Sequence, residues 1–240
     1  MKNNTLLISA LTSLFILVQS SIVCASDVVD GSSKGDTQQI KVAKNMNKRA
    51  ALTVLDEVLS PFEDMAEYAL DKNLLGMKKG YKKIELIQDN GLLKQTVSDQ
   101  ALKSIDQNIE KLEGVINRGD FAQVALLSAQ MFGESISSFK HVQKITNQLY
   151  IEHLDEMGFR LLALIEANQT DSKIMLNIII QAKANWLALK GQLNDENKVE
   201  SFDLLFKGLE QSVSTNDLNM VQILASMDLS LVDIIEKDFQ

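Results

Sequence analysis

One cysteine, one proline, one tryptophan and two histidines among 240 residues exclude a good deal of chemistry. The single thiol, Cys24, falls in a segment that reads as a removable leader, so the chain left after cleavage has none. That excludes a disulfide framework, a thiol nucleophile, a cysteine-held zinc, an iron–sulfur cluster and covalently attached haem. Proline is confined to Pro61, and aromatic residues make up only 5% of the chain. Strands favour aromatic and β-branched residues, so this scarcity, set against abundant Leu, Ala, Lys, Glu and Gln, favours helices. There is no Gly-x-Ser-x-Gly elbow, no His-Glu-x-x-His and no glycine-rich phosphate loop. With only His141 and His153 as bases of neutral pKa, the sequence leans away from catalysis.

What is present begins with an address. Lys2 supplies a positive start and Leu6 to Val18 an apolar run of 13 residues. Gln19-Ser20-Ser21 follows as a polar stretch, and Val23-Cys24-Ala25 offers a small-residue cleavage site before Ser26. That order predicts a signal peptide over residues 1–25, giving a periplasmic or secreted, soluble protein. The run falls short of the ~20 apolar residues that span a bilayer, so no transmembrane anchor is expected in the mature chain. Acylation of Cys24 is the competing reading. The branched Val23 before it fits less well than cleavage after Ala25.

The whole chain carries a net charge of −8; the leader contains Lys2 and no acid, so cleavage takes it to −9. An acidic chain repels a phosphate backbone, which argues against nucleic acid as a partner. The charge is uneven: residues 46–140 sum to −2 and residues 141–240 to −7.

Residues 26–45 are polar, contain Gly and Ser, and read as a flexible lead-in. Beyond them the pattern is all-α, with about eight helices. They form either tandem four-helix-bundle-like units, 46–140 and 141–240, or one helical bundle domain. Ser60-Pro61-Phe62-Glu63 has the form of a capping box with proline at the first helical position, which predicts that a first helix ends or kinks near Leu59 and a second starts at Pro61. Asn90-Gly91 and Arg118-Gly119 read as stops, Thr96 to Asp99 as a start, and Asp120 and Asp217 as N-caps. Residues 167–171 and 191–198 read as polar breaks. Ile105, Ile109, Leu112 and Ile116 draw one apolar stripe, and a shift of 97 residues brings Phe202, Phe206, Leu209 and Val213 onto the same positions. Asp106, Glu113 and Asp120 then meet Asp203, Glu210 and Asp217, which points to an internal duplication.

Several side chains are candidates for binding. Tyr150, Phe159, Trp186 and Phe206 are placed at the junction of the two units, where aromatic groups combine apolar area with a polar handle. Lys78, Lys79, Lys82 and Lys83 form the densest basic run, suited to anionic lipid or an acidic partner; Gly76 and Gly80 beside it weaken the helix and suggest local mobility. Glu152, His153, Asp155 and Glu156 make a polar cluster that reads as a solvated helix face, since the Glu-x-x-His pairs of carboxylate-bridged metal bundles are absent.

Met46 stands at the start of the first helix and His141 at the end of the last helix of the first unit, ends that an antiparallel bundle brings together. This layout loosely resembles the cytochrome b562 family, exported bundles holding haem between such a Met and His. The resemblance implies a periplasmic haem or metal carrier as an alternative function. Phe239, where that layout would want a second His, breaks the pattern in the second unit.

The leading expectation is an exported helical protein that binds a partner protein or small molecule without catalysis and without a cofactor. The cleavage site makes one direct prediction: N-terminal sequencing of the protein from an exported fraction will begin at Ser26, whereas a lipidated Cys24 would show that it is membrane-anchored.

Overall fold

The computed structural model describes residues 48–87, 94, 99–139 and 142–239. The leader, the lead-in, Met46, His141 and the Asn90-Gly91 stop lie outside the described residues. The described residues form eight α-helices of several turns and two 3-10 turns, with no strand among them. We number the helices α1 (Lys48–Leu70), α2 (Leu74–Ile87), α3 (Asp99–Arg118), α4 (Phe121–Ser138), α5 (Thr146–Glu166), α6 (Ser172–Leu189), α7 (Glu196–Ser214) and α8 (Leu218–Glu236).

Within α1–α4, the first helix packs on the second and fourth, and the third packs on both of those. The same pattern holds for α5–α8, and the two sets meet where α5 lies against α4 and α1. The 97-residue offset recurs in the helix bounds: α3 and α4, shifted by it, land on α7 and α8 to within one residue at each end. The turns agree as well. Gly119 and Asn216 are both left-handed, at φ 69° and 56°. The amides of Asp120 and Asp217 reach back to the carbonyls of Val115 and Ser212. Each aspartate then caps the following helix through the amide three residues on, that of Gln123 or Met220. Both apolar stripes are buried, Ile105 to Ile116 and Phe202 to Val213 alike.

The predicted break at Ser60-Pro61 is absent. α1 runs through it, with Pro61 buried inside the helix. The Ser60 hydroxyl donates to the Asp56 carboxylate at 3.0 Å instead of capping a new helix. The physical reason lies in the core: Val54, Leu55, Val58, Leu59, Phe62, Met65 and Ala69 form one buried stripe on both sides of the proline. A break would divide that stripe, and its burial outweighs the roughly 3 kcal/mol that proline costs in a helix interior.

Gly76 and Gly80 have a packing role that the sequence does not reveal. Both are buried against the Tyr68 ring of α1. A Cβ on Gly76 would sit 2.7 Å from Tyr68 Cγ, so the missing side chain is what lets α2 approach α1. Lys83 Nζ closes the same interface on Asp64 at 2.9 Å.

α8 is the one described helix long and apolar enough, by length and composition alone, to cross a membrane. One of its faces buries Val221, Ala225, Asp228, Val232 and Ile235, while Ile223 and Met227 on another face are about half exposed.

Gly76→Ala tests the close packing of α1 and α2. Helix propensity gains about 1 kcal/mol, but overpacking against a ring costs about 1–3 kcal/mol, so a net loss of about 1 kcal/mol is expected. A lower urea midpoint at unchanged slope is the readout.

Candidate functional site

An acid-lined cleft of about 290 Å³ lies between α1, α5 and α8. Helical spacing explains its composition. Leu52, Leu55, Asp56, Leu59, Ser60 and Glu63 follow i, i+3, i+4, i+7, i+8, i+11 and so share one face of α1. Gln148, Ile151, Glu152 and Asp155 do the same on α5, and Val232, Asp233 and Glu236 on α8. The leucines, Ile151 and Val232 give the cleft apolar walls; six carboxyl groups and two neutral polar groups line the remainder.

The carboxyls are crowded and poorly solvated. Burial pushes Glu152 up to about 7, helped by the charges of Glu236 and Asp56 and opposed by a hydrogen bond from Gln148. That bond, Gln148 Nε2 donating to Glu152 Oε1, measures 2.8 Å, and the same amide reaches Glu236 at 3.3 Å. Glu63 is likewise pushed up to about 7, first by burial and then by Glu152, Asp64, Glu236 and Asp233. Asp155 is only 8% exposed and lines the cleft. Burial holds its carboxyl well above the ordinary range, and the charges acting on it, Glu63, Glu152, Asp228 and Asp233, are all acidic. Among the described residues it receives no hydrogen bond. Behind it, Asp228 is fully buried over Gly158, its oxygens without a well-aligned donor among the described residues. Burial raises it well above its ordinary value. The position corresponding to Asp228 in the first half, 97 residues earlier, is the buried Met131.

This arrangement corrects the solvated-face reading of residues 152–156. Glu152 and Asp155 point into the protein because α5 packs against α4 on one side and α8 on another, leaving little of its circumference to water. His153 and Glu156, 3.7 Å apart, do make an i, i+3 contact, but Glu156 also packs over Gly133 of α4 and accepts from Arg160 at 2.9 Å. Asp56, Asp233 and Glu236 carry no signal of a site in the sequence, and Glu63 reads there only as part of a helix cap. Their signal is a run of acids at helical spacing interleaved with leucines, which resembles any amphipathic surface until the neighbouring helices are known.

The other candidates are dispersed. Phe159 is buried edge-on to Phe132 of α4, with ring centroids 6.4 Å apart, and so does sit where the two halves meet. Trp186 and Phe206 lie within the second core. Trp186 stacks on Phe202 at 4.6 Å and donates its indole N–H to Asp203 at 2.7 Å. Tyr150 packs half-buried at the edge of that core. Lys78, Lys79, Lys82 and Lys83 are all exposed on α2. Met46 and His141 are outside the described residues. No group of three or more His, Asp or Glu side chains among the described residues is placed to hold a metal ion.

The raised carboxyls make stability depend on pH with a definite sign. Glu152 has an ordinary value of 4.5 and a folded value of about 7, so between these the folded chain binds more protons than the unfolded one. Its contribution is greatest below pH 4.5 and is lost as pH rises through about 7. Glu236 and Asp56, facing it from α8 and α1, add to the rise. Glu152→Gln should therefore raise stability by roughly 1–3 kcal/mol at about pH 8 and change it little at about pH 4. Denaturation at the two pH values gives the comparison.

No protein-family model, curated protein sequence or solved structure matches this chain.

Proposed function

We propose that this is an exported protein that binds a small cationic ligand in the cleft between α1, α5 and α8, without catalysis. The observation that carries this reading is Asp155, a carboxyl nine-tenths buried, aimed into the cleft, surrounded by acids and given no hydrogen bond by any described residue. Ionising such a carboxyl without a partner is costly, which is why it keeps its proton, and a cation in the cleft lowers that cost for several carboxyls together. The volume, about 290 Å³, is at the small end of ligand pockets and suits a compact molecule rather than a protein segment. Apolar walls beside the acids favour a cation with hydrocarbon attached. Export, the leader reading, would place such a protein where small cations are collected from outside. A partner protein remains the alternative for the lysine face of α2, which is remote in character from this acidic site.

Ligand-induced stabilisation tests the reading. At about pH 8 and fixed ionic strength, small alkylammonium, calcium and magnesium salts are compared with neutral alcohols and amides of matching size. One or more of the cations should raise Tm above a sodium control, and the double variant Asp155→Asn/Glu152→Gln should abolish that rise. Equal behaviour of cations and neutral compounds would overturn the proposal.

A further inference from the structure

The cleft offers its charge as rows. On α1, Asp56 and Glu63 are seven residues apart, which at ~1.5 Å per residue is about 10 Å along the helix. On α5, Glu152 and Asp155 are one turn apart, as are Asp233 and Glu236 on α8, giving about 4.5 Å in each case. Glu236 and Asp56 act on Glu152, and Asp233 acts on Asp155; Glu63 lies between, acting on Asp155 and itself acted on by Glu152, Glu236 and Asp233. The six carboxyls thus spread lengthwise in two overlapping groups, one towards Glu152 and the other towards Asp155.

A point cation does not match this layout. A metal needs several oxygens converging at about 2.0–2.6 Å, and the described acids provide no such group of three. A long, flexible molecule with a positive charge at each end does match. Each ammonium group has three donors for surrounding carboxylates. The methylenes between them have Leu55, Leu59, Ile151 and Val232 to lie against. The separations of about 4.5 and 10 Å bracket the distance between two ammonium groups on a four- or five-carbon chain.

Resting on the binding reading above, we infer that the cleft selects a linear aliphatic diamine or polyamine, one ammonium held by the carboxyls around Glu152 and the other by those around Asp155. The shared chemistry, a primary ammonium on an alkyl chain, also occurs at the tip of a lysine side chain, which brings one charge instead of two.

Isothermal titration of the full mature chain at about pH 8 separates these possibilities. The probes are diaminobutane, diaminopentane, butylamine and calcium chloride. The diamines should bind about tenfold or more tightly than butylamine, since the second charge-assisted contact is lost in the monoamine. Glu63→Gln and Glu236→Gln should each weaken diamine binding severalfold while changing butylamine binding less. Both variants remove charge from a crowded site, so circular dichroism should show an intact fold. Butylamine binding as tightly as the diamines would overturn the inference and point to a single-ammonium site, as for a lysine tip. Calcium binding more tightly than either diamine would overturn it in favour of a metal. Both of these outcomes leave the cationic-ligand reading standing; the absence of heat from every probe, with no cation raising Tm, would overturn both.

Discussion

One helix must serve two cores, and the remainder of the molecule is arranged around that demand. α5 gives Leu149, Phe159 and Ala163 to the core of the first half, and Ile151, Leu154, Met157, Leu161 and Leu164 to that of the second. A helix apolar on one stripe can leave the rest of its surface to water. α5 is covered on several sides by α4, α6, α8 and α1, so its polar residues are forced either into narrow gaps or under neighbours. Glu152 and Asp155 occupy such a gap. Their raised proton affinity follows from that burial before any neighbouring charge is considered.

The acid-lined cleft has the character of a site maintained against stability. Glu63 and Glu152 are both pushed up to about 7, and burial raises Asp155 and Asp228 well above their ordinary values. Well-packed apolar residues at these positions would give a more stable bundle. The two halves provide an internal comparison: where the first half packs Met131, the second buries the carboxyl of Asp228. Local rules of folding are broken most often where a protein binds or reacts, and here the violations gather around one cleft.

The sequence made the helical class and most turns legible because those depend on neighbours in the chain. Asp120 and Asp217 cap as their spacing implies, and Gly119 takes the left-handed turn that its position at a helix end suggests. Ser60-Pro61 misled for the same reason: its local grammar is that of a helix start, but a continuous buried stripe from Val54 to Ala69 overrides it. The cleft was illegible because no single helix contains it. Asp56, Glu152 and Glu236 each sit on an ordinary amphipathic face, and only the packing of α1, α5 and α8 turns three unremarkable faces into one acidic lining.

Trp186, the only tryptophan in the chain, is fully buried in the second core, stacked on Phe202 and bonded to Asp203. The first core has no indole. Emission excited beyond tyrosine absorption is therefore a local gauge: it registers the loosening of α6 and α7 and is blind to the first half, which holds Tyr68 and Tyr81 but no indole. Far-ultraviolet dichroism, by contrast, sums over the helices of both halves. If the halves come apart at different denaturant concentrations, the two optical signals will part company, and the unmodified chain carries its own means of revealing whether it melts as one body or two.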